Sequence, residues 1–276
     1  MPWHARLSLD YQRPGPRTVL RHSHDGPLRI FKSLYPEGEA VCHNIIVHPP
    51  GGLVGGDLLD VDVRVGAGAH ALLSTPGATR FYASDDAVAA QRVRLHLGAG
   101  SRLEWLPLET IAYPGCRAEN RWSAELDEGA ELIAWDVTAL GLPGAGQAFD
   151  SGEFRQHLEI PGLWLEQARI AASDRRLLDS PLGLAGHRCQ GTLVLACGTP
   201  LGRERRESLL ELTREALDGA PAEVIAGVTA PSDRLLAVCA LAPLVEPLMA
   251  CLQAVWSRWR PAAWGLAGEP PRIWKV

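Results

Sequence analysis

Between Leu58 and Val65 the chain alternates, with Leu59, Val61, Val63 and Val65 on one side and Asp60, Asp62 and Arg64 on the other. This is the period of a strand that buries one face. The same beat returns as a repeated unit of strand, small-residue turn and strand. The first copy is Val61–Val65, Gly66–Gly68 and Ala69–Thr75; the second is Val93–Leu97, Gly98–Gly100 and Ser101–Leu106. The third runs Trp122–Leu126, Asp127–Gly129 and Ala130–Val137, and the fourth Phe154–Ile160, Pro161–Gly162 and Leu163–Ile170. The turn glycines Gly68, Gly100, Gly129 and Gly162 recur at intervals of roughly thirty residues, so each unit buries its apolar face against the next. The pattern predicts a mainly β fold, a stacked β-helix-like or layered sheet body over about residues 1–200.

Beyond Thr199 the period changes. Leu209, Leu212, Ala216 and Leu217 share a helical face within Glu204–Leu217, and Gly219 follows as a stop. A short strand is expected over Glu223–Thr229. Ser232 then reads as the N-cap of an apolar helix over 233–259 that Pro243 divides. Glu246 and two prolines argue against a membrane span in the Leu235–Val255 run, so it is read as a core or interface helix. All of this is assigned to a single domain, 1–276.

Composition narrows the function classes. A formal charge of −5 with both signs interspersed offers no basic stripe for nucleic acid. Met1–Asp10 holds no apolar leader segment, so a cytoplasmic location is expected. Cys42, Cys116, Cys189, Cys197, Cys239 and Cys251 are scattered and read as ordinary buried thiols. His22-x-His24 could touch a metal but is read as part of a solvated loop.

The segment with the most unusual chemistry is His48-Pro-Pro-Gly-Gly-Leu-Val-Gly-Gly-Asp57, a specified turn that delivers a carboxylate to the start of a strand. Asp57 has the parity of the apolar face; it either enters the interior or caps its own loop amides. A phosphate-binding loop fits poorly, because no Lys-Ser/Thr follows the glycines and a strand follows where a helix N-terminus is needed.

With Leu73-Ser-Thr-Pro-Gly-Ala-Thr-Arg-Phe-Tyr82, Leu103-Glu-Trp-Leu-Pro-Leu-Glu-Thr-Ile111 and Pro271-Arg-Ile-Trp274, that segment resembles the UreD (UreH) family of urease accessory proteins over most of the chain. The sequence departs from the family pattern at Arg80, where a lysine is usual. It departs again at Gly141-Leu142 and Gly146-Gln147, where Gly-Arg and Gly-Glu are usual. The resemblance implies a non-enzymatic factor that docks apo-urease to UreF and UreG and offers nickel an internal polar passage, with nickel in transit and no tightly bound cofactor.

Sparse carboxylates, carbonyls and water suit such transit, because imidazole and thiolate clusters hold nickel tightly. Parity supplies Asp57, Asp136 and Glu166 as candidates; the alternatives are pairing with Arg80 or Arg169, or a bulge that turns an acid outward. Ser74, Thr75, Thr79, Arg80 and Tyr82 form a candidate passage wall or docking loop. No nucleophile elbow surrounds Ser74. Trp256, Trp259, Trp264, Arg272 and Trp274 form a candidate partner interface, the alternative being that they pack over the end of the β body. Glu104 lies opposite the Leu103 and Trp105 face and is read as a surface acid. The rival classes are a β-solenoid carbohydrate-active enzyme, which needs paired carboxylates in an aromatic groove, and a plain protein-binding module.

Overall fold

In the computed structural model, which describes residues 2–275, the repeated units are rungs that step from one sheet to another. The first sheet has seven strands: β1 (His4–Gln12), β2 (Val19–Asp25), β5 (Leu58–Val65), β8 (Ala89–Leu97), β11 (Cys116–Leu126), β13 (Gly152–Ile160) and β14 (Trp164–Ala171). The second has ten: β3 (Arg29–Ile30), β4 (Val41–Val47), β6 (His70–Ser74), β7 (Thr79–Phe81), β9 (Arg102–Leu106), β10 (Thr110–Ala112), β12 (Glu131–Leu140), β15 (Cys189–Cys197), β16 (Ile225–Ser232) and β17 (Leu235–Ala242). Strands β1, β5, β8, β11 and β13 are parallel neighbours, as are β4, β6, β9 and β12.

The tight turns that join the layers also stack. Gly68 N–H donates to Ala99 O at 3.0 Å, and Gly100 N–H to Glu128 O at 3.0 Å. Gly68, Gly100 and Gly129 take φ of 65°, 63° and 70°, a region closed to most side chains. Only the first three units are rungs. In the fourth, β14 folds back antiparallel on β13 within the same sheet and closes the stack.

Three α-helices, α1 (Arg175–Asp179), α2 (Arg203–Asp218) and α3 (Val245–Trp264), and two 3-10 turns at Pro143–Ala145 and Arg272–Lys275 complete the list. Alternate residues explain the layering. On β12, Leu132, Ala134 and Leu140 join the core between the sheets, while Ile133, Trp135, Val137 and Ala139 join a second core under α2 and α3. The second sheet is therefore covered on both faces, and its strands read as continuous apolar runs.

That coverage overturns the expected helix over 233–259. Leu235–Ala242 is β17, hydrogen-bonded between β15 and β16, with Leu235 and Ala237 in one core and Leu236 and Val238 in the other. A run buried on both faces carries no period that separates strand from helix. Pro243 marks the exit from the strand, and α3 begins at Val245 and continues through Pro261. His22 and His24 lie on β2, an edge strand, and not in a loop.

Candidate functional site

The second sheet is forked. Strand β12 pairs with β9 as far as Ala134 and with β10 from Thr138, and Asp136 stands at the split. Trp135, beside it, points the other way and donates its indole N–H to Pro107 O at 2.6 Å. Asp136 faces the intersheet core and is 5% exposed.

Opposite the fork, the inner face of the first sheet carries a row of amides. Register aligns Gln91 with Asn120 and Asn120 with Gln156 across β8, β11 and β13. Gln91 Nε2 donates to Asn120 Oδ1 at 3.2 Å, and Asn120 Nδ2 to Asp136 Oδ2 at 2.8 Å. Gln156 Nε2 lies 3.4 Å from Asp136 Oδ1 and 3.3 Å from Glu166 Oε1. Gln190 Nε2 donates to Gln156 Oε1 at 2.7 Å, and the Thr192 hydroxyl to Glu166 Oε2 at 2.8 Å. Asn120, Gln156 and Thr192 donate to the two carboxylates, the only groups in this file that can solely accept when ionised, while Gln91 and Gln190 donate to the amide oxygens of Asn120 and Gln156.

The file runs between two cavities. Gln91 lines one of about 220 Å³ beneath the glycine-rich loop, together with His48, Gly52, Thr75, Thr79 and Arg80. Glu166, Gln190 and Thr192 line another of about 400 Å³, beside Ile225 and Cys239 at the β16–β17 edge. Burial, reinforced by the Glu166 charge, pushes the Asp136 carboxyl up to about 7; burial raises Glu166 too. Burial also lowers His48, against the pull of Asp57, and raises Cys239, which keeps that thiol protonated near neutral pH. Two carboxyls that resist ionisation, held by neutral amides, can pass a cation without retaining it.

Asp57 stands apart. Its Oδ1 accepts from Trp3 N–H at 2.8 Å and its Oδ2 from Val54 N–H at 3.0 Å, so it caps the loop that carries it. The loop keeps its shape by close approach as well. A Cβ on Gly52 would fall 2.2 Å from the Tyr82 ring, which in turn packs on Tyr113. Thr75 Oγ1 donates to Gly77 O at 3.0 Å and accepts from Leu108 N–H at 2.9 Å, fixing the turn below Arg80.

The family model for the UreD urease accessory protein matches residues 4–275. The chain belongs to the UreD family. It is 58% identical over 276 residues to the urease accessory protein UreD of Albidiferax ferrireducens, covering 100% of both chains. Likewise, it is 56% identical over 274 residues to that of Variovorax paradoxus, covering 99% of both, and 56% identical over 276 residues to that of Paracidovorax citrulli, covering 100% of both.

In this UreD family member the expected tryptophan interface is mostly core. Trp256 and Trp259 are fully buried and Trp264 is 8% exposed, all three on α3 and within the core between the helices and the second sheet. Their N–H groups are used internally, Trp256 on Glu104 at 2.8 Å and Trp259 on Thr213 Oγ1 at 2.7 Å. The chain then turns back so that Trp274 donates to Ser74 Oγ at 2.8 Å and packs on Trp135 and Trp256; Arg272 remains exposed. Ser74 is thus buried beneath the C-terminal turn and is no part of the cavity wall. The packing alternative describes these tryptophans because the second sheet needs an apolar layer over its outer face.

Glu104 requires the same correction. Its parity is opposite to Leu103 and Trp105, but that face lies under α3, and Glu104 is fully buried. It meets His70 Nε2 at 3.1 Å and Arg260 at 3.0 Å, and Arg260 also reaches Glu37 at 2.8 Å. In the segment that departs from the family pattern, Leu142 N–H donates to Gln147 O at 2.8 Å, so a backbone bridge closes the loop there.

Asn120, Gln156, Gln190 and Thr192 were not singled out in the sequence. The signal was present in part: Asn120 has the parity of Ala118 and Trp122, and Gln156 that of Phe154 and Leu158. Amides on an apolar face mark a polar interior as acids do.

Proposed function

We propose that this chain is a non-catalytic urease maturation factor that docks apo-urease together with UreF and UreG, and that nickel crosses it along the Gln91–Asn120–Asp136–Gln156–Glu166 file. Membership in the urease accessory family supports the maturation role. The observation that carries the route is the pair of inward-facing carboxyls, buried Asp136 and half-buried Glu166, sharing one neutral amide donor between two cavities.

Unpaired carboxylates in a dry core would cost several kcal/mol each, on the order expected for isolated buried charge. Protonation and amide donors offset that cost when no cation is present. An arriving Ni²⁺ replaces the proton and finds carboxylate and carbonyl oxygens, ligands that hold it loosely. The work is positioning and passage, with no bond chemistry, in the cytoplasm. No helix among the described residues is long and apolar enough to cross a membrane.

The test is co-expression with UreF, UreG and apo-urease, with pull-down and urease activity after nickel supply. Asp136→Asn and Glu166→Gln should leave the complex intact and lower activation several-fold. Full activation by the double variant would remove the route.

A further inference from the structure

The file holds two carboxylates and four amides, Gln91, Asn120, Gln156 and Gln190, and one amide occupies a special position. Gln156 is 3% exposed, and its single Nε2 lies between Asp136 Oδ1 at 3.4 Å and Glu166 Oε1 at 3.3 Å. Its other end is fixed by Gln190, which donates to Oε1 at 2.7 Å. Gln190 has no comparable position, since it touches neither carboxylate in this arrangement. Asn120 reaches Asp136 alone.

We propose that Gln156 sets the cation affinity of this interior: its neutral amide separates the two carboxylates and keeps a latent three-carboxylate cage from forming. The proposal rests on the nickel route for its purpose, but its chemistry stands on geometry alone. An octahedral ion with oxygen ligands at about 2.1 Å has adjacent ligands about 3 Å apart. The Nε2 position of Gln156 is nearly that far from both carboxylate oxygens. An oxygen placed there would stand close to ligand-to-ligand spacing from one oxygen of each carboxylate, with the remaining positions left for water. With nitrogen there, that position is a donor whose N–H groups repel the ion.

The contrast with the other polar interior of this protein is instructive. Beside Glu104 and Glu37 a permanent cation, Arg260, already pairs with both acids, so no metal is called for. Among the residues that face the Asp136–Glu166 pair within hydrogen-bonding range, Asn120, Thr138, Gln156 and Thr192, none is charged. Positive charge at this point must come from outside the chain, as a proton or a metal ion. Gln156 decides how firmly the metal ion is kept.

The experiment uses Gln156→Glu, which retains the oxygen that accepts from Gln190 and exchanges the bridging nitrogen for oxygen. Ni²⁺ is titrated calorimetrically into the full-length wild-type chain, Q156E and the double variant D136N/Q156E. The expected result is one Ni²⁺ per Q156E chain, bound about tenfold or more tighter than by wild type at this position, with the gain lost in the double variant. Equal affinity of folded Q156E and wild type would overturn the proposal. If the added carboxylate prevents folding, the cage predicts that Ni²⁺ restores a cooperative thermal transition and Mg²⁺ does so less well; failure of Ni²⁺ to restore it would count against the proposal equally.

Urease takes no part in this titration, so its outcome is separate from that of the route. Activation that is indifferent to Asp136→Asn would end the route and leave Gln156 as the determinant of affinity. A route that holds with no gain in Q156E would leave the affinity to be set elsewhere. In cells, a Q156E chain that binds as expected should withhold nickel and lower urease activation while partner pull-down is unchanged.

Discussion

Arg260, near the end of α3, lies 3.0 Å from Glu104 on β9, although 156 residues separate them in the chain. The guanidinium is 1% exposed and also holds Glu37 at 2.8 Å, while His70 and Trp256 take further positions on Glu104. The contact fastens the helical layer to the sheet through buried charge, which is tolerated because every charge has a partner. Arg260→Ala leaves two acids without their cation. Equilibrium urea unfolding should show a loss of about 3–5 kcal/mol, the usual range for breaking a buried pair; a loss below 1 kcal/mol would show the layer is held by its tryptophans alone.

Acid should loosen the same contact. Glu37 is brought down to about 2 despite burial, by hydrogen bonds from His43 and Arg260 and by their charge, and Glu104 is lowered as well. A carboxylate with a depressed folded pKa contributes stability that is fully present above its unfolded value and is lost as pH falls toward the folded one. For Glu37 that window is pH 4.5 down to about 2. Urea midpoints measured across it should fall in the wild type, and fall less steeply in Glu37→Gln.

Asp136 has the opposite sign. Its carboxyl moves from 3.8 up to about 7, so between those values the folded chain holds a proton that the unfolded chain has released, and stability declines as pH rises. Asp136→Asn should therefore be more stable than wild type at pH 8, by on the order of 2–4 kcal/mol, with the advantage fading toward pH 4. Thermal unfolding at several pH values measures this. A variant less stable than wild type at pH 8 would show that Asn120 and Gln156 hold the ionised form.

Asp57→Ala removes the acceptor for the Trp3 and Val54 amides and should cost about 1–3 kcal/mol, a typical cost for charge-assisted hydrogen bonds. Urea unfolding reads the loss. At a temperature where the variant is folded, urease activation should match wild type, because Asp57 belongs to the loop and not to the file; a specific activation defect would return it to the passage.

Trp274→Ala should remove about 1–3 kcal/mol by uncovering Ser74 and the faces of Trp135 and Trp256. Fluorescence should shift to the red as those indoles meet water. An unchanged spectrum would mean the C-terminal turn does not shield them.

The alternation in Leu58–Val65 and its echoes, the turn glycines and the period of Arg203–Asp218 were sufficient to read a layered β body with a helical end. Those signals are local: side-chain parity, left-handed turns and a helical stripe depend only on neighbours in the chain. The same parity placed Asp136 and Glu166 inside, since an acid on an apolar face is visible residue by residue.

What lies over a face is not local. Parity put Glu104 opposite Trp105 correctly, but only the docking of α3 made that side interior, and the same layer turned the 235–242 run into a strand and the tryptophans into core. The file itself joins β8, β11, β12, β13, β14 and β15, from Gln91 to Thr192. Its members meet because parallel register aligns Gln91, Asn120 and Gln156 and because the fork in the second sheet presents Asp136 to them. Register across rungs and the gap between β9 and β10 are set by how whole layers pack, so the sequence by itself determined which residues face inward, and only the tertiary structure decided which of them touch.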